Sequence, residues 1–300
     1  MCSYSVYAGP ELEHVVQFRL ESLALKADVM SQVKDIFGPL ATQTTFEGRL
    51  GRGEGERLHV YLMSRMRGVT HLDFVLAHDV PENSPENFNW RKNLIGDVAH
   101  FVALCWNSSR HVSSEYRIGL RQTYVKDLQA LSSALPYRFK PVIQTCIDSV
   151  DNILSLPMVL LHKDFGACNI IVDPATCNLV GVIDWAEAEV CPFGLNLHSL
   201  ESLSGKLDLR DGWTRFEDYD TLQNVFWDRF KQKVGGLTDD QLQTVQLARA
   251  LGVLLSHGFT SRLANEPDPA PIGDNEYGRY NTMSLDAFLL LPPTKLDGSR

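Results

Sequence analysis

The 300 residues include 44% hydrophobic and 22% charged side chains, ordinary globular usage that supports one large or two moderate cores and excludes disorder as the default. A net charge of -9, from 37 acids against 28 Lys plus Arg, with no long basic run, argues against nucleic acid as a partner. The same acidity would draw cationic small molecules, although solubility alone accounts for it. Six cysteines form no C-x-x-C pair, and Met1-Cys2-Ser3-Tyr4 lacks a signal pattern, so a cytoplasmic protein with reduced thiols is expected. Apolar runs such as Met158 to Leu161 and Leu251 to Leu255 are too short to cross a bilayer, so no membrane partner is expected.

In chain order, Tyr4 to Ala8 and Val15 to Arg19, with a turn at Gly9-Pro10-Glu11 between them, read as an antiparallel hairpin. Ala24 to Phe37 carries a helical stripe of Leu25, Val29, Val33 and Ile36 or Phe37, stopped by Gly38-Pro39. Thr44 to Gly51 and Leu58 to Met63 are two further strands around Gly51-Arg52-Gly53-Glu54-Gly55. That glycine run lacks the strand-then-helix setting of a phosphate loop and reads as a hairpin turn.

From about residue 70 the pattern turns helical. Asn93 to Trp106, Tyr116 to Leu135 and Phe139 to Leu156 are helices, and Pro81 to Pro85 is a loop. Met158 to Leu161 is an apolar strand that delivers His162 and Asp164 into a loop, and Asn169 to Val172 is a β-branched strand leaving it. After a turn at Pro174, Cys177 and Asn178, the strand from Leu179 to Ile183 ends on Asp184. Asp164, Asn169 and Asp184 are oxygen donors that suit a hard cation such as magnesium. Helices follow at Leu195 to Leu203, Trp213 to Lys233, Thr238 to Ser256 and Asp274 to Leu291, and a frayed tail follows from Pro292.

The His162-x-Asp164-x-x-x-x-Asn169 loop, with Ile183-Asp184-Trp185 one hairpin later, resembles the aminoglycoside phosphotransferase and choline kinase family, in its fungal-type branch. The alternative reading is a plain β-hairpin with polar turn residues. The resemblance implies an α+β, protein-kinase-like two-lobe fold, with a small lobe over 1–66 and a larger one over 67–300. It implies transfer of the γ-phosphoryl group of ATP (or GTP), with Mg2+, to a hydroxyl of a small molecule. Asp164 would take or orient the hydroxyl proton, His162 would brace the loop, and Asn169 and Asp184 would hold the metal.

Arg19 stands where the family has a phosphate-pairing lysine, with Asp28 as its partner acid and Glu21 and Asp35 as rivals. Met63, Ser64 and Met66 fall at the hinge whose backbone bonds adenine. Lys163, a glycine in many relatives, is expected to point to solvent. One family feature is missing: only about eighteen residues precede Arg19, too few for the additional strand and glycine-rich cover. Either upstream sequence restores the cover or this member works without it. A degenerate kinase-fold protein that binds a nucleotide or a partner without turnover, and a biosynthetic enzyme with non-phosphoryl chemistry in the same cleft, remain alternatives. Secondary metabolism is the expected setting, and the substrate's identity lies outside the motifs.

Overall fold

The computed structural model describes residues 3–51, 56–208, 210, 212–260, 268–273 and 275–291. The chain forms two compact units, one of residues 1–104 and 162–189, the other of 105–161 and 190–300.

The first unit opens with an antiparallel sheet in the order β1 (Ser3–Ala8), β2 (His14–Leu20), β4 (Leu58–Ser64), β3 (Thr44–Leu50). The hairpin expected over the first nineteen residues is present, with Arg19 opposite Ser3 on one side and His59 on the other. β3 and β4 pair antiparallel up to Leu50 and Leu58. The turn expected at 51–55 falls outside the described residues from Arg52 to Gly55.

Helix α1 (Ala27–Phe37) buries Val33, Ile36 and Phe37 and ends at Gly38, whose φ of 52° is in the left-handed region that glycine tolerates. After the two-residue strand β5 (Val69–Thr70), a short helix α2 (His71–Ala77) follows, capped by the Thr70 hydroxyl on the Asp73 amide. The sequence reading had not anticipated α2, because seven residues are too few to establish a period.

A second sheet pairs β5 with β7 (Ile170–Val172) and β7 with β8 (Leu179–Val182). Helix α3 (Pro85–Asn107) holds their connection. Trp90 donates to the Ala175 carbonyl, Asn93 to that of Thr176, and Asp97 accepts from the Asn178 side chain and the Leu179 amide. Phe37 stacks on Phe101 at 4.6 Å, Phe101 on Phe165 at 5.3 Å, and Trp185 lies 4.6 Å from Phe37, an aromatic core beneath the loop that starts at His162.

The second unit is mainly helical: α4 (Ser114–Ala134), α5 (Lys140–Asp148), α6 (Val150–Ser155), α7 (Ser199–Leu203), α8 (Tyr219–Val234), α9 (Asp239–His257) and α10 (Arg279–Leu289). The expected helix over 139–156 is two helices broken at Ser149. The helix expected from Trp213 begins only at Tyr219, because Gly212–Arg215 pairs with Gly205–Asp208 as a hairpin. β6 (Met158–Leu161), fully buried, pairs with β9 (Glu189–Pro192). Glu201 on α7 is completely buried; Arg249 bonds it, Arg215 lies 3.6 Å away, and the Tyr219 hydroxyl donates to it at 2.8 Å. Among the described residues no helix is long and apolar enough to cross a membrane.

Candidate active site

Every residue singled out for chemistry belongs to the first unit. β6 feeds the loop from His162 to Asn169, and buried β7 leaves it, so the loop is pinned at both ends. The Asn169 side-chain amide donates to both the carbonyl and the Oδ2 of Asp164, each at 2.8 Å. Its nitrogen is thereby used on Asp164, and its Oδ1 is the atom that remains as a ligand. Asp164 itself is exposed, as a proton acceptor for an outside hydroxyl must be.

His162 lies beneath the loop. Its Nε2–H donates to the Ile183 carbonyl at 2.8 Å, and its ring meets Trp185 edge-on at 4.9 Å. Burial pushes the imidazole below its ordinary range, partly offset by the Ile183 carbonyl and by the carboxylates of Asp164 and Asp184. A neutral ring tying one strand end to the next fits the bracing role.

Asp184 follows β8 with φ 61° and ψ 63°, a left-handed conformation that aspartate, with glycine and asparagine, adopts more readily than other residues. Together with Asn169 it lines a cavity of about 670 Å³ that Met63, Ser64, Met66, Gln17 and Trp185 also line. Met66 fits because Gly181 leaves it room: a Cβ on Gly181 would come within 2.4 Å of the Met66 methyl. The three hinge candidates and the two metal candidates thus face one space.

Arg19 and Asp28 are not brought together. Arg19 is buried, with Nε donating to the Leu23 carbonyl at 2.8 Å, Nη1 to the Gln17 side chain at 3.3 Å, and Nη1 3.7 Å from Asp184 Oδ1. Asp28 is exposed in the first turn of α1, whose buried side carries Val33, Ile36 and Phe37. Of the rivals, Asp35 is exposed, and Glu21 lies 3.4 Å from both Arg49 and His59. The carboxylate that Arg19 meets is therefore Asp184, a partner that sequence proximity does not suggest. Lys163, expected in solvent, leans on Glu189 at 2.7 Å with both side chains half-exposed.

No cluster of three or more His, Cys, Asp or Glu side chains suited to a metal occurs among the described residues. A carboxylate with an amide oxygen suffices for magnesium, which keeps several waters.

An Asp164–Asn169 loop, with Asn169 and the strand-end Asp184 on one cavity, is the arrangement expected of a phosphotransferase of the protein-kinase-like fold. The family model of the phosphotransferase enzyme family (APH) matches residues 46–200, just over half of the chain, and the protein belongs to that family. No curated protein matches the sequence. Among solved structures, a putative aminoglycoside phosphotransferase from Ralstonia eutropha JMP134 aligns with a TM-score of 0.52 at 11% identity, over 94% of this chain and 90% of that one. A glucosamine kinase aligns at 0.52 and 14% identity, over 85% of this chain and 71% of the other. These likenesses establish the fold, α+β and kinase-like.

Proposed function

We propose that the protein transfers the γ-phosphoryl group of ATP or GTP to a hydroxyl of a small molecule. The observation that carries this reading is the double hydrogen bond from Asn169 to Asp164, beside an Asp184 that faces the cavity of Met63, Ser64 and Met66. Asp164, held in place, accepts or orients the proton of the incoming hydroxyl. Asn169 Oδ1 and the Asp184 carboxylate hold magnesium, which when bound neutralises charge on the phosphate oxygens.

The side chains of Met63 and Met66 and the backbone between them receive the base, and Gln17 extends the site along β2, with Arg19 buried behind it beside Asp184. Residues 1–66 then serve as the nucleotide lobe and 67–300 as the lobe of the catalytic loop and substrate. The acceptor is a metabolite of the cytoplasm, and secondary metabolism is the setting that the sequence suggests. Calorimetric titration with Mg-ATP and Mg-GTP, followed by a screen of amino sugars, amino alcohols and hydroxylated metabolites for nucleoside diphosphate release, tests the proposal. Saturable, magnesium-dependent binding of at least one nucleotide is expected, and none at millimolar concentration would defeat it. Binding of nucleotide with no release for any acceptor favours the reading without turnover.

A further inference from the structure

Asp184 already has a cationic neighbour, and the two partners are unequal: the Arg19 side chain is 5% exposed and that of Asp184 51%. Arg19 is poorly placed to withdraw. Its backbone is paired on both sides, opposite Ser3 and His59, and its Nε and Nη1 are committed to Leu23 and Gln17. Asp28 and Asp35 on α1 are exposed, and Glu21 is engaged with Arg49 and His59, so none of these acids draws the guanidinium away. Asp184 in turn sits at the end of β8 in a left-handed turn conformation.

We propose that Arg19 is a fixed counter-ion that prevents Asp184 from taking a divalent cation alone, so that the site accepts the metal only together with the phosphates of a nucleotide. This rests on the assignment of Asn169 and Asp184 as cation ligands. Asp184 can receive a second cation only against the repulsion of a guanidinium 3.7 Å away, reduced but not removed by the solvent that reaches its half-exposed side chain. Phosphate oxygens reverse the balance. The guanidinium keeps its bonds to Leu23 and Gln17, but its positive charge attracts phosphate anions, so the same arginine that opposes the free ion favours the ion–nucleotide complex.

Titration of the nucleotide-free protein with Mn2+, read from the paramagnetic resonance of the free ion and repeated with a non-hydrolysable ATP analogue, tests the proposal. The wild type binds Mn2+ weakly alone and tightly with the analogue. Arg19→Gln is expected to bind Mn2+ alone about tenfold more tightly and to lose most of the gain from the analogue. Arg19→Lys, which keeps the charge, stays near the wild type. Gln17→Leu leaves Arg19 in place and removes the neutral acceptor of Nη1 without adding charge, so Nη1 turns more fully to Asp184 and Mn2+ affinity falls even where removal of Arg19 unfolds the protein. Asp184→Asn abolishes binding in each background. Unchanged or weaker Mn2+ affinity in Arg19→Gln, or unchanged affinity in Gln17→Leu, with binding still lost in Asp184→Asn, overturns the counter-ion role alone. Mn2+ binding that ignores Asp184→Asn overturns the ligand assignment beneath it.

Discussion

Asp164 and Asn169 lie five positions apart and share two hydrogen bonds, so a short-range motif also defines a rigid object. Asp164→Asn keeps the shape and still offers Asn169 an oxygen, but it cannot take a proton. The fold should be retained and nucleoside diphosphate release should fall about 10²- to 10⁴-fold, checked by thermal melting beside steady-state rates. Undiminished rates would remove Asp164 from the mechanism. This part of the site was legible because loop spacing dictates it: Asp164, Asn169 and Asp184 are set by two strands and one turn. The partner of Arg19 was not legible. Residues 17 and 19 share one face of β2, and what that face meets depends on a strand that arrives some 160 residues later. Asp28 is the acid that the resemblance places on the following helix, and a place on that helix does not fix which way its side chain points.

At the scale of elements, period and punctuation served well where a helix was long. The capping box of Thr238 and Gln241 marks the start of α9, and α1 ends on the expected glycine. They failed where elements are short: α2, the break at Ser149 and the 205–215 hairpin leave too few residues for a period, and tertiary pairing decides them. Close approach between backbones is equally invisible in sequence. In the middle of α9, Gly252 faces the Leu195 carbonyl, and an added Cβ would fall 1.7 Å from that oxygen. Gly252→Ala, favourable in an isolated helix, should instead destabilise the protein by roughly 1–3 kcal/mol, read from denaturant midpoints. A neutral or stabilising result would mean that the segment at Leu195 yields easily.

For the molecule as a whole, buried ionisable groups dominate the expected response to conditions. Truncating the carboxylate in Glu201→Ala removes the buried acid that Arg249 bonds and Arg215 approaches, and should cost about 3–5 kcal/mol in a chemical denaturation experiment. Burial holds the imidazole of His71 down at about 4, His198 at about 3 and His257 at about 4, against an ordinary value of 6.5. Because the unfolded chain binds these protons more readily, the contribution of the three rings is complete above pH 6.5 and is lost as pH falls towards 4. The melting temperature should decline steadily from pH 7 to pH 4.5, and a flat profile would show that these rings find a way to charge in place.

The first unit is assembled from two stretches of chain, 1–104 and 162–189, and that division has a consequence for synthesis. While the ribosome is still adding the intervening segment, β5 waits without β7, and Phe37 and Phe101 wait without Trp185. The first unit therefore cannot finish folding until Glu189 has emerged, however early its first strands form. A nascent chain halted before residue 160 should be protease-sensitive throughout and one halted well beyond 220 resistant over 3–104, a difference that arrested translation products would reveal.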